Sequence, residues 1–226
     1  MNQVSEVITT LIHYNVSVRD TLEYCLKKET YDTKLFQEKK RAVLIEVDQH
    51  TPLKDIIDRS GENGQKLEKL IRDFYDEVYG DNSTILHLAD DGLRVDHNQH
   101  LPIYRGVLPI HENINSMIRG IINDAHSKNI DVADAEKTWK AEDAMFRGVA
   151  YLTLTNDLIG LFNEYNKARQ EAKGAESPSS KFIANDIQTI IQNINFVRGS
   201  ARESNLVYKN MEDKIFALMA VSYTHL

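Results

Sequence analysis

The sequence has little cysteine and proline, and it has no long apolar run. Its one cysteine, Cys25, excludes an intramolecular disulfide. Four prolines and ten glycines exclude collagen-like and low-complexity classes. No segment reaches the roughly 18 uncharged apolar residues of a membrane-spanning helix, and the first residues lack the basic start and apolar core of a signal peptide. These absences predict a globular protein of the cytoplasm that does not enter a membrane.

Positive charge is also in short supply. The chain has 34 acidic against 27 basic residues, a net charge of -7, and this balance argues against nucleic acid or anionic lipid as a bulk partner. Hydrophobic residues make up 42% of the sequence. A chain of this length and composition can form an apolar core without a disulfide or a structural metal. We therefore expect no cofactor to be needed for folding.

Apolar residues recur at helical spacing through most of the chain, which predicts a mainly α-helical fold, a multi-helix bundle. The predicted helices cover about residues 4–28, 33–49, 52–59, 65–79, 108–126, 134–173, 180–197 and 205–220. Thr51 and Pro52 are expected to cap and open the third helix, and the stretch SGENG is expected to form the turn after it. Between Val149 and Tyr165 apolar residues lie on every side, which is typical of a helix enclosed by others.

One short stretch reads as β-structure. Asp91 and Gly92 stand between two runs of alternating apolar residues and predict a hairpin over about residues 85–97. In that register Leu86, Leu88, Leu93 and Val95 share one face. His87 then lies opposite Asp96 on the other face, as an exposed cross-strand pair.

The order of elements from about residue 33 to residue 97 is similar to that of a winged helix-turn-helix domain: a helix, two helices joined by a turn, and a hairpin. Ile57 and Glu62 depart from the usual motif. A DNA-binding regulator would use the outward residues Gln65, Lys66, Lys69 and Arg72 of the second helix of the motif. Acidic residues lie among them, and residues 1–100 hold 13 basic against 19 acidic side chains, so the charge disfavours DNA.

Histidines suggest a second alternative. Three of the eight fall within residues 87–100, and His97 and His100 have no place in the hairpin faces. If the following helix folds back, His111 and Glu112 would complete a set of four metal ligands, His97, His100, His111 and Glu112. This predicts a metal-binding helical protein as an alternative, and it depends on a tertiary contact.

Known catalytic spacings for hydrolases, metalloproteases, phosphate loops and dinucleotide sites do not occur. We therefore expect a non-enzymatic cytosolic protein that acts by binding a protein partner, with self-association left open. The expected organisation is an N-terminal unit of residues 1–100 and a C-terminal helical bundle of residues 108–220. Residues 221–226, VSYTHL, break the preceding amphipathic pattern and are expected to be a non-native tail.

Overall fold

The computed structural model describes residues 2–27, 46–79, 101–173 and 178–201, and it is mainly helical there, as predicted. The helices are α1 (Gln3–Lys27), α2 (Pro52–Arg59), α3 (Gly61–Tyr79), α4 (Leu101–Ser127), α5 (Ala133–Glu171) and α6 (Pro178–Ala201). Residues 46–48 are also helical. The predicted hairpin of residues 85–97 and the predicted helix of residues 205–220 lie outside the described residues.

The start of α2 follows the sequence prediction. The Thr51 side chain accepts a hydrogen bond from the backbone N–H of Lys54 at 3.1 Å, and Pro52 occupies the first turn. Proline fits this position because the amide it lacks would have no partner within the helix. Glycine is needed at the other end, where Gly61 has a φ of +54°, in the left-handed region that ends many helices.

The predicted turn SGENG is wrong. Only Ser60 separates α2 from α3, and α3 begins at Gly61, four residues earlier than predicted. The backbone N–H of Ser60 bonds to the carbonyl of Ile57 and closes α2, while the N–H of Gly64 bonds to the carbonyl of Ser60 and opens α3, so the two helices meet at Gly61 without an intervening loop. Glycine and serine were interpreted as turn residues, whereas here they let two helices meet almost directly.

The start of α4 also differs from the prediction. The helix begins at Leu101 rather than near Leu108, and it includes Pro109. A proline inside a helix removes one backbone hydrogen bond, and its ring crowds the preceding turn. Pro109 and Arg105, one turn before it, are both exposed, so the carbonyl that loses its partner lies on the solvent side.

The contacts divide the chain into two compact units, Met1–Val149 and Ala150–Leu226. The predicted boundary at about residues 100–108 begins in the undescribed part and stays a prediction. In the first unit α4 packs against α1 and α3, and α2 packs against α3 and α1. The core there is built from fully buried side chains on each of these helices, among them Ile8, Leu11, Leu53, Leu67, Ile71, Ile103, Tyr104 and Ile118.

Two glycines set the distances between helices of this unit. A Cβ atom on Gly64 would lie 1.9 Å from the carbonyl oxygen of Ile57, so α2 and α3 touch backbone to backbone at this point. A Cβ atom on Gly106 would lie 2.3 Å from the ring of Phe74, where α4 crosses α3. Any larger residue at either position would push the helices apart.

The second unit contains the later part of α5 and all of α6. Tyr151, Leu154, Leu158 and Leu161 of α5 are buried, and so are Ile187, Ile190, Ile194 and Val197 of α6. Searching the described helices for a stretch that could cross a bilayer finds none of sufficient length and apolar character.

Candidate functional site

A polar cluster around His111 lies within the first unit. The His111 side chain is 1% exposed, and its ring stacks on Phe146 with 3.5 Å between centroids and 3° between planes. Its Nε2 lies 2.9 Å from Oδ1 of Asp143, and its Nδ1 lies 2.9 Å from the side-chain amide oxygen of Asn15. One imidazole therefore connects α1, α4 and α5. Together with Asn115, Trp139, Arg147 and Glu112, these residues are called the His111 cluster below.

The two ring nitrogens of His111 face different partners. Nε2 lies 2.9 Å from Oδ1 of Asp143 and 3.0 Å from the side-chain amide nitrogen of Asn115. A carboxylate can only accept, so a proton on Nε2 is donated to Asp143 in a charge-assisted hydrogen bond. Nδ1 faces the side-chain amide oxygen of Asn15, which accepts a proton carried on Nδ1.

Asp143 is the acceptor on which the cluster converges. Its Oδ1 accepts from Asn115 Nδ2 at 2.6 Å and from Arg147 Nε at 3.0 Å, in addition to His111. The orientation of Asn115 is fixed independently, because the indole N–H of Trp139 donates to its oxygen at 2.8 Å and can only be a donor. Each hydrogen bond in the cluster thus restricts the orientation of the next side chain.

Arg147 extends the cluster toward the surface. Its side chain is 5% exposed, and besides Asp143 it contacts Glu112, with 3.2 Å between Nη2 and Oε2. Glu112 in turn accepts from Arg119 at 2.8 Å. The buried guanidinium therefore lies between two carboxylates, an arrangement that compensates the loss of its hydration.

The environment shifts two pKa values in this cluster. Burial lowers the pKa of His111, and the neighbouring Asp143 carboxylate opposes the shift without reversing it. Burial by itself would raise the pKa of Asp143, but the hydrogen bond from His111 and the charge of Arg147 bring that pKa below its usual value. The stable state is accordingly a neutral imidazole beside an ionised carboxylate.

An imidazole paired with a carboxylate is the usual arrangement of a general base, but here the imidazole is buried. His111 has 1% of its side chain exposed and both ring nitrogens engaged, whereas a general base has to reach the proton that it removes. As it is placed, the cluster joins three helices by directional bonds rather than offering a reactive atom to solvent.

Two of the four predicted metal ligands lie within the described residues and two lie outside them. His97 and His100 lie outside the described residues, so the metal-site prediction stays a prediction. His111 and Glu112 are neighbours on α4, but His111 is bonded to Asn15 and Asp143, and Glu112 contacts the cations Arg119 and Arg147. Within the described ranges, no group of three or more His, Cys, Asp or Glu side chains could hold a metal ion.

The four residues predicted for nucleic-acid binding lie on α3. Gln65 and Lys66 are exposed, while Lys69 pairs with Asp73. Arg72 bonds to Glu68 at 2.8 Å and to Asp48 at 2.9 Å. Two of the three cations are thus neutralised within the protein, which lowers what this face could contribute to phosphate binding.

A cavity of about 530 Å³ lies where α1 and α5 begin. Hydroxyl, amide and carboxylate side chains line it, including Asn2, Ser5 and Asp131. The groups at the helix starts are already used: the Asn2 amide bonds the carbonyl of Asp131 at 2.7 Å, and the Asp131 carboxylate accepts from Ala133 N–H at 3.1 Å. Its size is that of a ligand pocket, but much of its polarity is taken up by capping.

The outward surface of the second unit is different, because it exposes large apolar side chains. On α5, Leu152 is 45% and Ile159 is 38% exposed, and Asn156, Asn163 and Asn166 are exposed beside them. These five residues, the α5 strip, are three or four positions apart and fall within about 80° of the helix circumference. On α6, Phe182 is 62% and Phe196 is 47% exposed.

Comparison with known proteins adds no identification. No protein-family model, no curated protein and no solved structure matches this chain. The geometry of its own residues has to support any functional conclusion.

The sequence missed most members of the His111 cluster. Asp143 and Arg147, like His111 and Asn115, are four residues apart, the spacing that places two side chains on the same helix face. Those two pairs were the available signal. Their convergence on one point needs the packing of α4 against α1 and the approach of α5, which the spacing alone does not give.

Proposed function

We propose that this chain is a non-enzymatic protein-binding module that receives a helix of a partner protein along the α5 strip. The single cysteine favours the cytoplasm as its location. The predicted hairpin of residues 85–97 remains part of the proposal. So does the winged-helix-like order, with α2 and α3 as its two central helices.

The observation that carries the proposal is the composition of the α5 strip. Leu152 and Ile159 are exposed although the rest of the helix around them is enclosed: Thr153, Thr155 and Asp157 beside them are at most 7% exposed. Exposed apolar residues aligned along one helix face are typical of protein interaction sites. A solvated surface would be expected to carry charges here, and none of the five residues is charged.

The spacing favours a helix as the occupant. Leu152 and Ile159 are seven residues apart on one face, which is the spacing of successive anchors of an amphipathic helix lying along another helix. From Leu152 to Asn166 the strip extends about 21 Å, which corresponds to some four helical turns. The asparagines can form hydrogen bonds across such a contact, and no ion has to lose its hydration.

The His111 cluster supports the non-enzymatic part of the proposal. The imidazole–carboxylate pair that comes nearest to catalytic geometry has its imidazole 1% exposed. The paired cations Lys69 and Arg72 weigh against DNA as the partner.

The proposal is tested by photo-cross-linking in cells of the source organism. A photoreactive amino acid at Asn156 should give a discrete adduct with one partner protein. The same probe at Gln65, an exposed position of α3, is the matched control and should not give that adduct. Ile159→Glu should abolish the adduct, because it places a charge in the apolar contact, and Lys137→Glu, a charge change on α5 outside the strip, should leave it. An adduct that survives Ile159→Glu, or no adduct specific to Asn156, would overturn the proposal.

A further inference from the structure

The exposed side of α6 carries a second strip of regular spacing. Its members are three and four residues apart and fall within about 80° of the helix circumference: Phe182, Asn185, Thr189, Gln192 and Phe196. The two phenylalanines are 62% and 47% exposed. Another side of the same helix buries isoleucines at Ile187, Ile190 and Ile194. A helix that is apolar on two sides is expected to have a neighbour on each.

Charge restricts what that neighbour can be. From Phe182 to Val197 the helix contains one charged residue, Asp186, and that residue is 9% exposed. The exposed positions between the phenylalanines are asparagine and glutamine. A highly charged partner would find no complementary ion among the five residues of the strip, whereas a second copy of the strip would meet no like charge from them.

The order of residues along the strip reads similarly from both ends. Phe182 and Phe196 lie seven residues before and after Thr189, and Asn185 and Gln192 are the strip members between them. In a two-fold symmetric antiparallel pair, each residue faces the one equally far beyond the axis. With the axis at Thr189, Phe182 of one copy lies opposite Phe196 of the other, twice.

We infer that a second copy of this chain binds antiparallel along the α6 strip, with the two-fold axis at Thr189. Two aromatic pairs, each about 10 Å from the axis, bury the exposed rings, and the small Thr189 allows the helices to approach at the centre. Asn185 of one copy lies opposite Asn193 of the other. By the same symmetry Gln192 of one copy lies opposite Asp186 of the other, so the one acidic side chain of this segment meets an uncharged amide.

The contact is short, so the association is weak. About 21 Å of helix separates the two phenylalanines, and a single helix pair of this length lies at the small end of specific interfaces. We expect a monomer–dimer equilibrium in the micromolar range rather than a permanent dimer. This inference concerns α6 and is independent of the partner helix proposed for the α5 strip.

The first experiment is sedimentation velocity of the full chain over a range of micromolar concentrations. The wild type should shift from the chain mass of 25.9 kDa toward twice that value. Phe196→Glu should remain monomeric at every concentration, with a helical circular dichroism spectrum showing that it is folded. Leu152→Glu, which alters the α5 strip, is the matched control and should still dimerise. A wild type that stays monomeric, or a Phe196→Glu chain that dimerises like the wild type, would overturn the inference.

The second experiment tests the direction of pairing and does not depend on the stability of Phe196→Glu. In a Cys25→Ser background, Thr189→Cys lies on the axis and should form a covalent dimer with itself under mild oxidation. Phe182→Cys should not cross-link to itself but should cross-link to Phe196→Cys when the two chains are mixed. Efficient self-cross-linking of Phe182→Cys would indicate parallel pairing and would contradict the antiparallel arrangement.

Discussion

Asparagine has opposite roles in the two units of this protein. In the first unit Asn115 is 1% exposed and is held by Trp139 and Asp143. In the second unit Asn156 and Asn163 are exposed beside exposed leucine and isoleucine. The first unit therefore places directional polar bonds inside, where they fix helix positions. The second unit places uncharged polar and apolar groups outside, where they are free to meet another surface.

This difference predicts that substitutions in the first unit affect folding, while substitutions on the exposed strips affect association. Buried polar groups are costly to leave unpaired, because they lose water without gaining a partner. Exposed uncharged groups keep their water when the chain is alone. Variants of the first unit should therefore change the free energy of unfolding, and variants of the exposed strips should change the state of association, when both are measured for each variant.

Among substitutions of polar residues, the largest effect is expected at Asp143. Asp143→Ala removes the acceptor shared by His111, Asn115 and Arg147 and leaves the buried guanidinium with Glu112 alone. Breaking a buried ion pair from one side costs about 3–5 kcal/mol, and we expect a loss in the free energy of unfolding near the lower end, since Asp143 is 23% exposed. Chemical denaturation measures it.

The control for Asp143 is Asp124→Ala, which removes an exposed ion pair between Asp124 of α4 and Lys128, the residue after the end of that helix. A surface pair of this kind contributes about 0–1 kcal/mol. Equal losses for the two variants would show that the His111 cluster is not a determinant of stability.

The next effect concerns the close helix contacts. Gly64→Ala places a methyl group against the backbone carbonyl of Ile57, which cannot move without shifting α2. The methyl group of Gly106→Ala would lie 2.3 Å from Cδ2 and 2.9 Å from Cβ of the buried Phe74, so a side chain rather than a backbone carbonyl has to shift. Overpacking costs about 1–3 kcal/mol, so both variants should lose stability, and Gly64→Ala should lose more.

Gly120→Ala provides the comparison within α4, because no atom lies within 4 Å of the added methyl group. Replacing glycine by alanine in an open helical position gains about 1 kcal/mol. Thermal unfolding of the three variants should therefore give two decreases and one increase in Tm. A decrease for Gly120→Ala would mean that its surroundings are more crowded than described.

The sequence predicts the helices well and their junctions poorly. Periodic apolar residues place the start of α1 and both ends of α5 within two residues of their observed positions, because burial of one face determines both the pattern and the helix. The turn predicted over residues 60–64 and the predicted start of α4 near Leu108 were wrong for a common reason. Glycine and proline predict a turn from the neighbouring sequence alone. Whether the chain continues as a helix around them depends on the tertiary packing of α3 and α4.

The site was less predictable than the fold. His111 and Glu112 stood out as ligating residue types, but their partners Asn15, Asp143 and Arg147 are distant in sequence and belong to other helices. The four-residue spacing places His111 with Asn115, and Asp143 with Arg147, on one face of a helix. It does not show which helix faces pack against each other. The α5 strip contains residues that the sequence analysis predicted to be enclosed, because composition does not show which side of a helix is exposed.

A pH dependence should distinguish the His111 cluster from the rest of the molecule. The folded state lowers the pKa of His111 below its ordinary 6.5, so folding favours the neutral ring. The unfolded chain then binds more protons than the folded chain as the pH falls through 6.5. The stability associated with the neutral ring is complete above that pH and is lost progressively below it.

His111→Gln should remove part of this slope between about pH 7 and pH 5, although the variant is less stable at every pH. His13→Gln, which removes an exposed histidine from α1, is the control for losing a histidine. Asp143 acts in a more acidic range: its pKa is lowered, so its contribution is present above its ordinary 3.8 and is lost as the pH falls below that value. An unchanged slope in His111→Gln would contradict a neutral buried imidazole.

The smallest effect on stability is expected at the exposed phenylalanine of α6. Phe182→Glu should change the free energy of unfolding by less than about 0.5 kcal/mol when it is measured below the concentration of self-association, since the ring contributes little to the folded single chain. Ile190→Ala, on the buried side of the same helix, should cost about 2–5 kcal/mol. The two residues are eight positions apart and differ chiefly in what covers them. If Phe182→Glu proved as costly as Ile190→Ala, the ring would belong to the core of the second unit, and the outward-facing role of its uncharged surface would have no basis.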